Sequence, residues 1–421
     1  MLDRCNYANP APVAPAWDNN IIESPSWNRE WHHSNIHAVR IDDDSYKIIC
    51  KCCNQYKLIH SKDFPESLQI NSNSRKLASI RRVLSVAPIE GADKIECITI
   101  DGWKLVSQKG NFQPGDLCVY FEIDSFLPVK PEFEFLRKGC YKNTEHLGEG
   151  FRIKTIKLKG QISQGLALPL KEFNLTQFQE GDDVTSVLEV RKWEVPIPAQ
   201  LAGKIKGNFP VFIPKTDAER AQNLVRNISK TFYNSYFEVT QKLNGSSMTV
   251  YHYNDYVGVC SRNLDILEDD TNSFWRIANQ LKLPSLLKEY KKTRDKHIAI
   301  QGELIGPGVQ KNREGLKDLD FYVYNIYDIN EARYVNPDER ALMMIQFEKM
   351  GYKMNHVPII GKMRVSEIAR DRSEIMPSLL LFAQGKSLNK DTPREGVVFK
   401  DYGSEFNFKV INNDYLLQGG E

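Results

Sequence analysis

The 421-residue sequence has no run of about 18 apolar residues, so nothing in it reads as a membrane span. Its opening stretch, MLDRCNYANPAPVAPAWDNN, lacks an apolar h-region, which argues against a secretory signal and for an intracellular setting, cytoplasmic or nuclear. Cysteine is sparse. Eight in so long a chain make no disulfide framework and fit a reducing compartment. An excess of one charge is missing too: 56 basic against 54 acidic residues leave a net charge of +2. A nucleic-acid partner would therefore have to be held by local patches. Zinc spacing is only half present. CKCCNQYKLIH supplies Cys50, Cys52, Cys53 and His60 without a second Cys-x2–4-Cys pair, so a metal site and a plain thiol cluster both stay open.

With 41% hydrophobic and 26% charged residues, the chain reads as an ordinary globular protein. Its length suggests roughly two or three domains. Residues 1–74, Pro/Ala/Asn-rich at first and polar at the end, read as an N-terminal extension of unknown role. Over 75–190 the signals are β. KIECITIDGWKLVSQKG, LCVYFEIDSFLPV and FRIKTIKLKGQISQGLALPL are β-branched and aromatic runs split by turns, which suggests a small barrel of the OB type. FQPGDLCVYF and FQEGDDVTSV each place Gly-Asp in a turn ahead of an expected strand, at Gly115-Asp116 and Gly181-Asp182. RIKTIKLKG, Arg152 to Gly160, carries four bases and no acid; it suits a phosphate backbone and a solvated strand equally.

Residues 191–421 read as mixed α/β, entered through a Pro- and Gly-punctuated connector over 191–230. FEVTQK alternates, with Phe237 and Val239 on one face and Glu238, Thr240 and Lys242 on the other. Thr271 to Ser273 offer an N-cap for a helix striped by Phe274, Ile277, Ala278 and Leu281. A second helix is bounded by Asn336 as N-cap, Pro337 at the first position and Gly351 past the end. The expected fold class is α+β: an N-terminal OB-like β-barrel, then a mixed α/β nucleotidyltransferase domain.

Lys-x-x-Gly occurs four times, at Lys157, Lys204, Lys242 and Lys400, so the pattern alone selects none of them. What singles out Lys242 is its company. KLNG at 242–245, SRN at 261–263, QGELIG at 301–306, EGVVFK at 395–400 and NFKVIN at 407–412 each put a charged residue at the edge of an apolar strand. Buried charge is costly unless paired or bound to a ligand, so these repeats point to one shared polar pocket.

The order and wording of these five clusters resemble the covalent nucleotidyltransferases, the superfamily of ATP-dependent ligases and capping enzymes. The resemblance is closest to ATP-dependent RNA ligases with an OB-like domain before the ligase domain. RKLASIRRVLSVAPIEGADKIECITIDGWKLVSQKGNFQPGDLCVYFEIDSFLP and IPAQLAGKIKGNFPVFIPKT share it, so it spans about 75–421. It implies joining of RNA 3′-OH and 5′-phosphate ends, nicked or structured, in RNA repair, with ATP and Mg²⁺ or Mn²⁺ as cofactors. Lys242 would attack the α-phosphate of ATP, AMP would pass to the RNA 5′-phosphate, and a 3′-OH would displace it.

By the same resemblance Glu303 holds the ribose and a metal-bound water, and Glu395 the metal's water shell, with Asn244 near the metal. Arg262 and Asn263 contact nucleotide or the RNA end, and Gln241 borders the nucleotide. Phe321, preferred over Tyr324, stacks on adenine. Lys400 and Lys409 neutralise the α-phosphate. A lysine nucleophile must be neutral, which costs about 4 kcal/mol near pH 7.4 from a free pKa near 10.4. Lys409, bound Mg²⁺ and Lys400 are the expected cations that lower it. Gln241 stands where the family commonly has Glu, Asn244 where relatives often have Asp, and Asn407 where some have Lys. A DNA ligase or capping enzyme shares the lysine chemistry, but those usually place an OB domain after the last motif. An inactive RNA-binding protein of the same fold is the non-enzymatic alternative.

Overall fold

The computed structural model describes residues 75–193 and 204–419, with three strands of the N-terminal segment, Ile36–Arg40, Ser45–Cys50 and Tyr56–His60. Those three pair as an antiparallel meander, which the polar composition of the segment did not suggest. The metal question at Cys50, Cys52, Cys53 and His60 concerns side chains outside the described set. Residues 1–75 with 210–214 form one compact unit, and residues 76–209 with 215–421 a second. Among the described residues no helix is long and apolar enough to cross a membrane.

The second unit opens with a five-stranded antiparallel sheet in the order Leu166–Pro169, Leu117–Phe121, Ala78–Pro88, Ile95–Ile100, Trp103–Gln108. Its long strand serves two neighbours. Ala78 to Arg82 pair with Leu117–Phe121; beyond a bulge between Val83 and Ser85 the strand pairs with Ile95–Ile100. The bulge bends the sheet round a core of Val83, Ile98, Ile100, Trp103, Leu105 and Tyr120. The two Gly-Asp turns are near copies: Asp116 Oδ2 accepts from Gln113 N at 2.7 Å and Asp182 Oδ2 from Gln179 N at 2.8 Å. No strand follows the second turn. Asp183 makes only an isolated bridge to Ser79 there.

A four-stranded sheet, Arg191–Lys192, Ser125–Leu127, Gly148–Arg152, Tyr141–Thr144, and a hairpin of Thr155–Leu158 with Gln161–Gln164 complete the OB-like region, and two larger sheets build the remainder. An eight-stranded sheet runs Ile205–Asn208, Leu264–Ile266, Tyr256–Cys260, Ser246–Tyr253, Ile298–Ile305, Asp320–Asp328, Arg333–Tyr334, with Asn355–His356 beside Asp320–Asp328. The stretch after Lys204, read as connector, is thus an edge strand. A five-stranded sheet runs Glu219–Arg220, Asn407–Ile411, Gly396–Asp401, Tyr236–Lys242, Ile359–Arg364. Helices Ser273–Gln280, Leu283–Arg294 and Pro337–Lys349 contribute Ile277, Leu286 and Phe347 to the core of the larger sheet. Ala221–Asn227, Val365–Ile368 and Ile375–Phe382 contribute Ala221, Val365 and Leu379 to that of the smaller. The helix boundaries follow the capping signals. Asn272 accepts from Trp275 N, Asn336 accepts from Glu339 N, and Gly351 has a φ of 92° just past the helix end.

The barrel is fastened to the five-stranded sheet's helices. Gly102 N donates to Gln222 O at 3.1 Å, and a Cβ on Gly102 would overlap Gln222. Trp103 Nε1 donates to Asn223 Oδ1 at 2.5 Å while Asn223 Nδ2 donates to Glu122 at 2.7 Å. Arg226 bridges Asp101 and Glu180, which also hold Arg81 and Arg82.

Candidate active site

Lys242 ends the Tyr236–Lys242 strand of the smaller sheet, and four residues later Ser246–Tyr253 begins in the larger one. The KLNG turn is therefore the crossing between the two sheets. Gly245 packs so closely on Leu304 O that no side chain fits there. Phe237 and Val239 enter the apolar core while Glu238 and Lys242 turn to the other face, following the alternation of the sequence.

Glu395 precedes Gly396, the register partner of Lys242, so the strand pairing sets its carboxylate beside the amine. Lys242 Nζ lies 2.8 Å from Glu395 Oε1. Gly396, with a φ of 157°, leaves no room for a Cβ against Val410 O. Glu303 comes from the larger sheet, opposite Ser247. Burial, then the charge of Glu395, push its carboxyl up to about 8 against the pull of Lys242. For Lys242, burial favours the neutral amine, but Glu395 and Glu303 outweigh it and hold the ammonium above its ordinary range. The cation acting to lower it is Arg262. Lys242 is thus held as an ammonium by two acids, where the sequence suggested a lysine neutralised by Lys409, bound Mg²⁺ and Lys400.

Lys400 lies elsewhere. Its Nζ donates to Tyr324 O and, at 2.6 Å, to Asn325 Oδ1, and burial followed by Arg340 holds it well below the usual lysine range. These two hydrogen bonds tie its amine to the Asp320–Asp328 strand. Lys409, on Asn407–Ile411, pairs in register with Arg220 and Val398 and acts on Asp217. Burial raises the Asp217 carboxyl, but Arg262, Lys409 and Lys192 overcome this and keep it below its ordinary value. Arg262 Nη2 lies 2.9 Å from Asp217 Oδ1, and Asn263 Oδ1 accepts from Lys215 at 3.0 Å.

Phe321 is not positioned to stack on a base. It is fully buried in the core behind the larger sheet, against Gly302. Tyr324 is on the Glu303 side, its hydroxyl 3.0 Å from Thr216 Oγ1 and 3.1 Å from Ser247 Oγ, and Glu303 helps burial raise its pKa. Gln241 N donates to Pro358 O at 2.8 Å, while its Nε2 is buried without a hydrogen-bond partner. Glu314 was missed by sequence reasoning. It is buried, and its two oxygens accept from Asn244 N at 2.9 Å and Leu388 N at 3.0 Å. A lone glutamate in KNREGLKD gave no signal for it.

A divalent cation fits the acids. Glu303 and Glu395 face one ammonium, and burial, then the charge of Glu395, hold the Glu303 carboxyl up to about 8, so a bound cation would favour its ionised form. Among the described residues no group of three or more His, Cys, Asp or Glu side chains is placed to hold a metal ion by itself.

A family model described as an OB-fold domain matches residues 77–170, and one described as RNA ligase matches residues 235–411. No curated protein matches the chain. Among solved structures, a Naegleria gruberi RNA ligase variant with AMP and Mn is 44% identical, with a TM-score of 0.75 over 81% of this chain and 98% of that one. The Naegleria gruberi RNA ligase with PPi is 44% identical, with a TM-score of 0.73 over 82% and 98%. An apo variant of that ligase gives 44% and 0.75 over 81% and 97%. A barrel ahead of the two sheets, an amine between two acids at their crossing, and identity of this extent place the chain among the ATP-dependent RNA ligases with an N-terminal OB-fold domain.

Proposed function

We propose that Lys242 is the residue that carries AMP, and that this enzyme joins RNA 3′-OH and 5′-phosphate ends through it. The observation behind this reading is the 2.8 Å contact between Lys242 Nζ and Glu395 Oε1, with buried Glu303 acting on the same ammonium. The Nζ proton passes to Glu395. The amine then attacks the α-phosphorus of ATP, a P–N bond forms, the bond to the β-phosphate oxygen breaks and pyrophosphate leaves. An RNA 5′-phosphate oxygen next attacks the same phosphorus, and the lysine departs with a proton restored. Last, an RNA 3′-hydroxyl attacks the 5′-phosphate and AMP is released.

Glu303 and Glu395 would hold Mg²⁺ or Mn²⁺ through its waters, with Asn244 nearby; the cation supplies positive charge against the α-phosphate. Tyr324 stacks on adenine, and Lys400 fixes the Tyr324 backbone from below. Arg262, Asn263 and Lys409 face the phosphates of nucleotide or RNA. The placement of the barrel before the ligase domain favours RNA ligation over capping, and the intact Lys242, Glu303 and Glu395 favour an enzyme over an inactive binder.

Incubation with α-labelled ATP and the metal, followed by denaturation, is expected to leave label on the protein, and Lys242→Ala is expected to abolish it. Labelling from GTP alone, or a labelled Lys242→Ala protein, would overturn the assignment. Nicked RNA, DNA and hybrid duplexes then define the strand preference.

A further inference from the structure

The short helix Asn413–Leu417 follows the last strand of the smaller sheet. Its contacts reach the site. Asn412, its N-cap, donates from its backbone to Glu395 O at 2.9 Å and from Nδ2 to Arg394 O at 3.2 Å. One turn on, Tyr415 is buried against Ile411 and Leu416, and its hydroxyl accepts from Asn244 Nδ2 at 2.7 Å. The helix thus grips both halves of the Lys242–Glu395 contact: the segment that carries the acid and the turn that follows the amine.

Its far end is held as well. Arg313 Nη2 donates to Gln418 O at 2.7 Å, and its guanidinium lies 4.9 Å from the centre of the Tyr415 ring. The neighbouring residue, Glu314, accepts from Asn244 N, so the turn is secured twice, at its backbone and at its side chain. The neutral amide at 244 suits this place. An acid there would add a fourth carboxylate to Glu303, Glu314 and Glu395, whereas Asn244 can be located by a hydrogen bond to a phenol without adding charge.

We infer that Tyr415 is a positioning residue for adenylyl transfer: through Asn244 it sets the Lys242 turn against Glu395. The inference rests on the reading of Lys242 as nucleophile. Tyr415→Phe keeps the ring, its packing and the Arg313 contact, and removes only the oxygen. Single-turnover lysyl-AMP formation over a range of ATP concentrations is expected to slow about tenfold, the size of one lost buried hydrogen bond, with half-saturation by ATP unchanged. A residue that only supports the fold would lower the melting temperature and leave the rate constant of the folded fraction alone.

Asn244→Ala is expected to slow the same step to a similar degree, and the double variant to be no slower than Asn244→Ala alone, because the two side chains act through one bond. A Tyr415→Phe rate within twofold of wild type, or full additivity in the double variant, overturns the inference. Should Tyr415→Phe fold poorly, Asn244→Ala carries the test, and an unimpaired rate there overturns it equally. Wild-type protein that never forms the adduct sinks the nucleophile reading and this inference together. A wild-type adduct with unaffected variants sinks this inference alone.

Discussion

Arg340 Nη2 lies 2.5 Å from both carboxylate oxygens of Glu238, deep in the face of the strand that ends at Lys242. The two side chains are 2% and 4% exposed, so this is a fully desolvated ion pair. Arg340 Nε also donates to His356 Nε2 at 3.0 Å, and burial with the charge of Arg340 pushes that imidazole down to about 4. Lys400 is the register partner of Glu238, so the pair and the lysine beneath Tyr324 belong to one polar layer.

Breaking this pair from one side leaves a buried charge alone. Arg340→Met is expected to cost about 3–5 kcal/mol in urea unfolding, and the added change Glu238→Gln to restore most of it. A single variant as stable as wild type would show that water reaches Glu238.

Glu303 couples stability to pH against function. Its folded-state carboxyl lies near 8, above the ordinary 4.5, so between those values the folded chain keeps a proton that the unfolded chain has lost. The stabilising contribution is complete below 4.5 and erodes as pH rises toward 8. Glu303→Gln should therefore gain stability over wild type as pH rises, by up to about 1.4 kcal/mol per pH unit in that window, while losing adenylylation. Thermal melts of both proteins from pH 5 to 9 check the slope; parallel curves would refute it.

The rate of lysyl-AMP formation should climb through the same range. Glu395 and Glu303 hold the Lys242 proton above the ordinary lysine value, so alkali enlarges the reactive amine fraction. A single-turnover rate that falls between pH 7 and 9 contradicts this.

Tyr324 and Phe321 separate base binding from packing. Tyr324→Ala is expected to raise the ATP concentration needed for half-maximal adenylylation about 5- to 150-fold, the equivalent of about 1–3 kcal/mol for base stacking. Phe321→Ala should cost about 3–5 kcal/mol of stability by opening a core cavity, with little change in ATP dependence of the folded protein. The reverse result would return the stacking role to Phe321.

Asn223 tests the fastening of the barrel. Asn223→Ala strips partners from Trp103 Nε1 and Glu122, both buried, and is expected to cost about 1–3 kcal/mol. Urea unfolding is the measurement.

Lys242, Glu303 and Glu395 were legible in the sequence because a charge at the edge of an apolar strand is an anomaly that only a shared pocket resolves. Helix ends were legible because Asn272, Asn336 and Gly351 act within one turn of themselves. Alternation in FYVYN already separated the two aromatics. Phe321 and Val323 take the apolar face and Tyr322 and Tyr324 the other, while a register shift returns Ile326 to the core. Glu314 and Tyr415 could not be read. They act 70 and 171 residues from Asn244, through single hydrogen bonds that leave no periodic trace. That Glu395 and Glu303 rather than lysines stand nearest the Lys242 amine was hidden for a similar reason: it is decided by the pairing of two separate sheets.

The strand bearing Lys242 is hydrogen-bonded along both flanks, to Ile359–Arg364 and to Gly396–Asp401. Such an attachment point has no travel of its own. In the reaction proposed above, the nucleotide, the pyrophosphate and each RNA terminus would have to come and go around a backbone fixed on two sides.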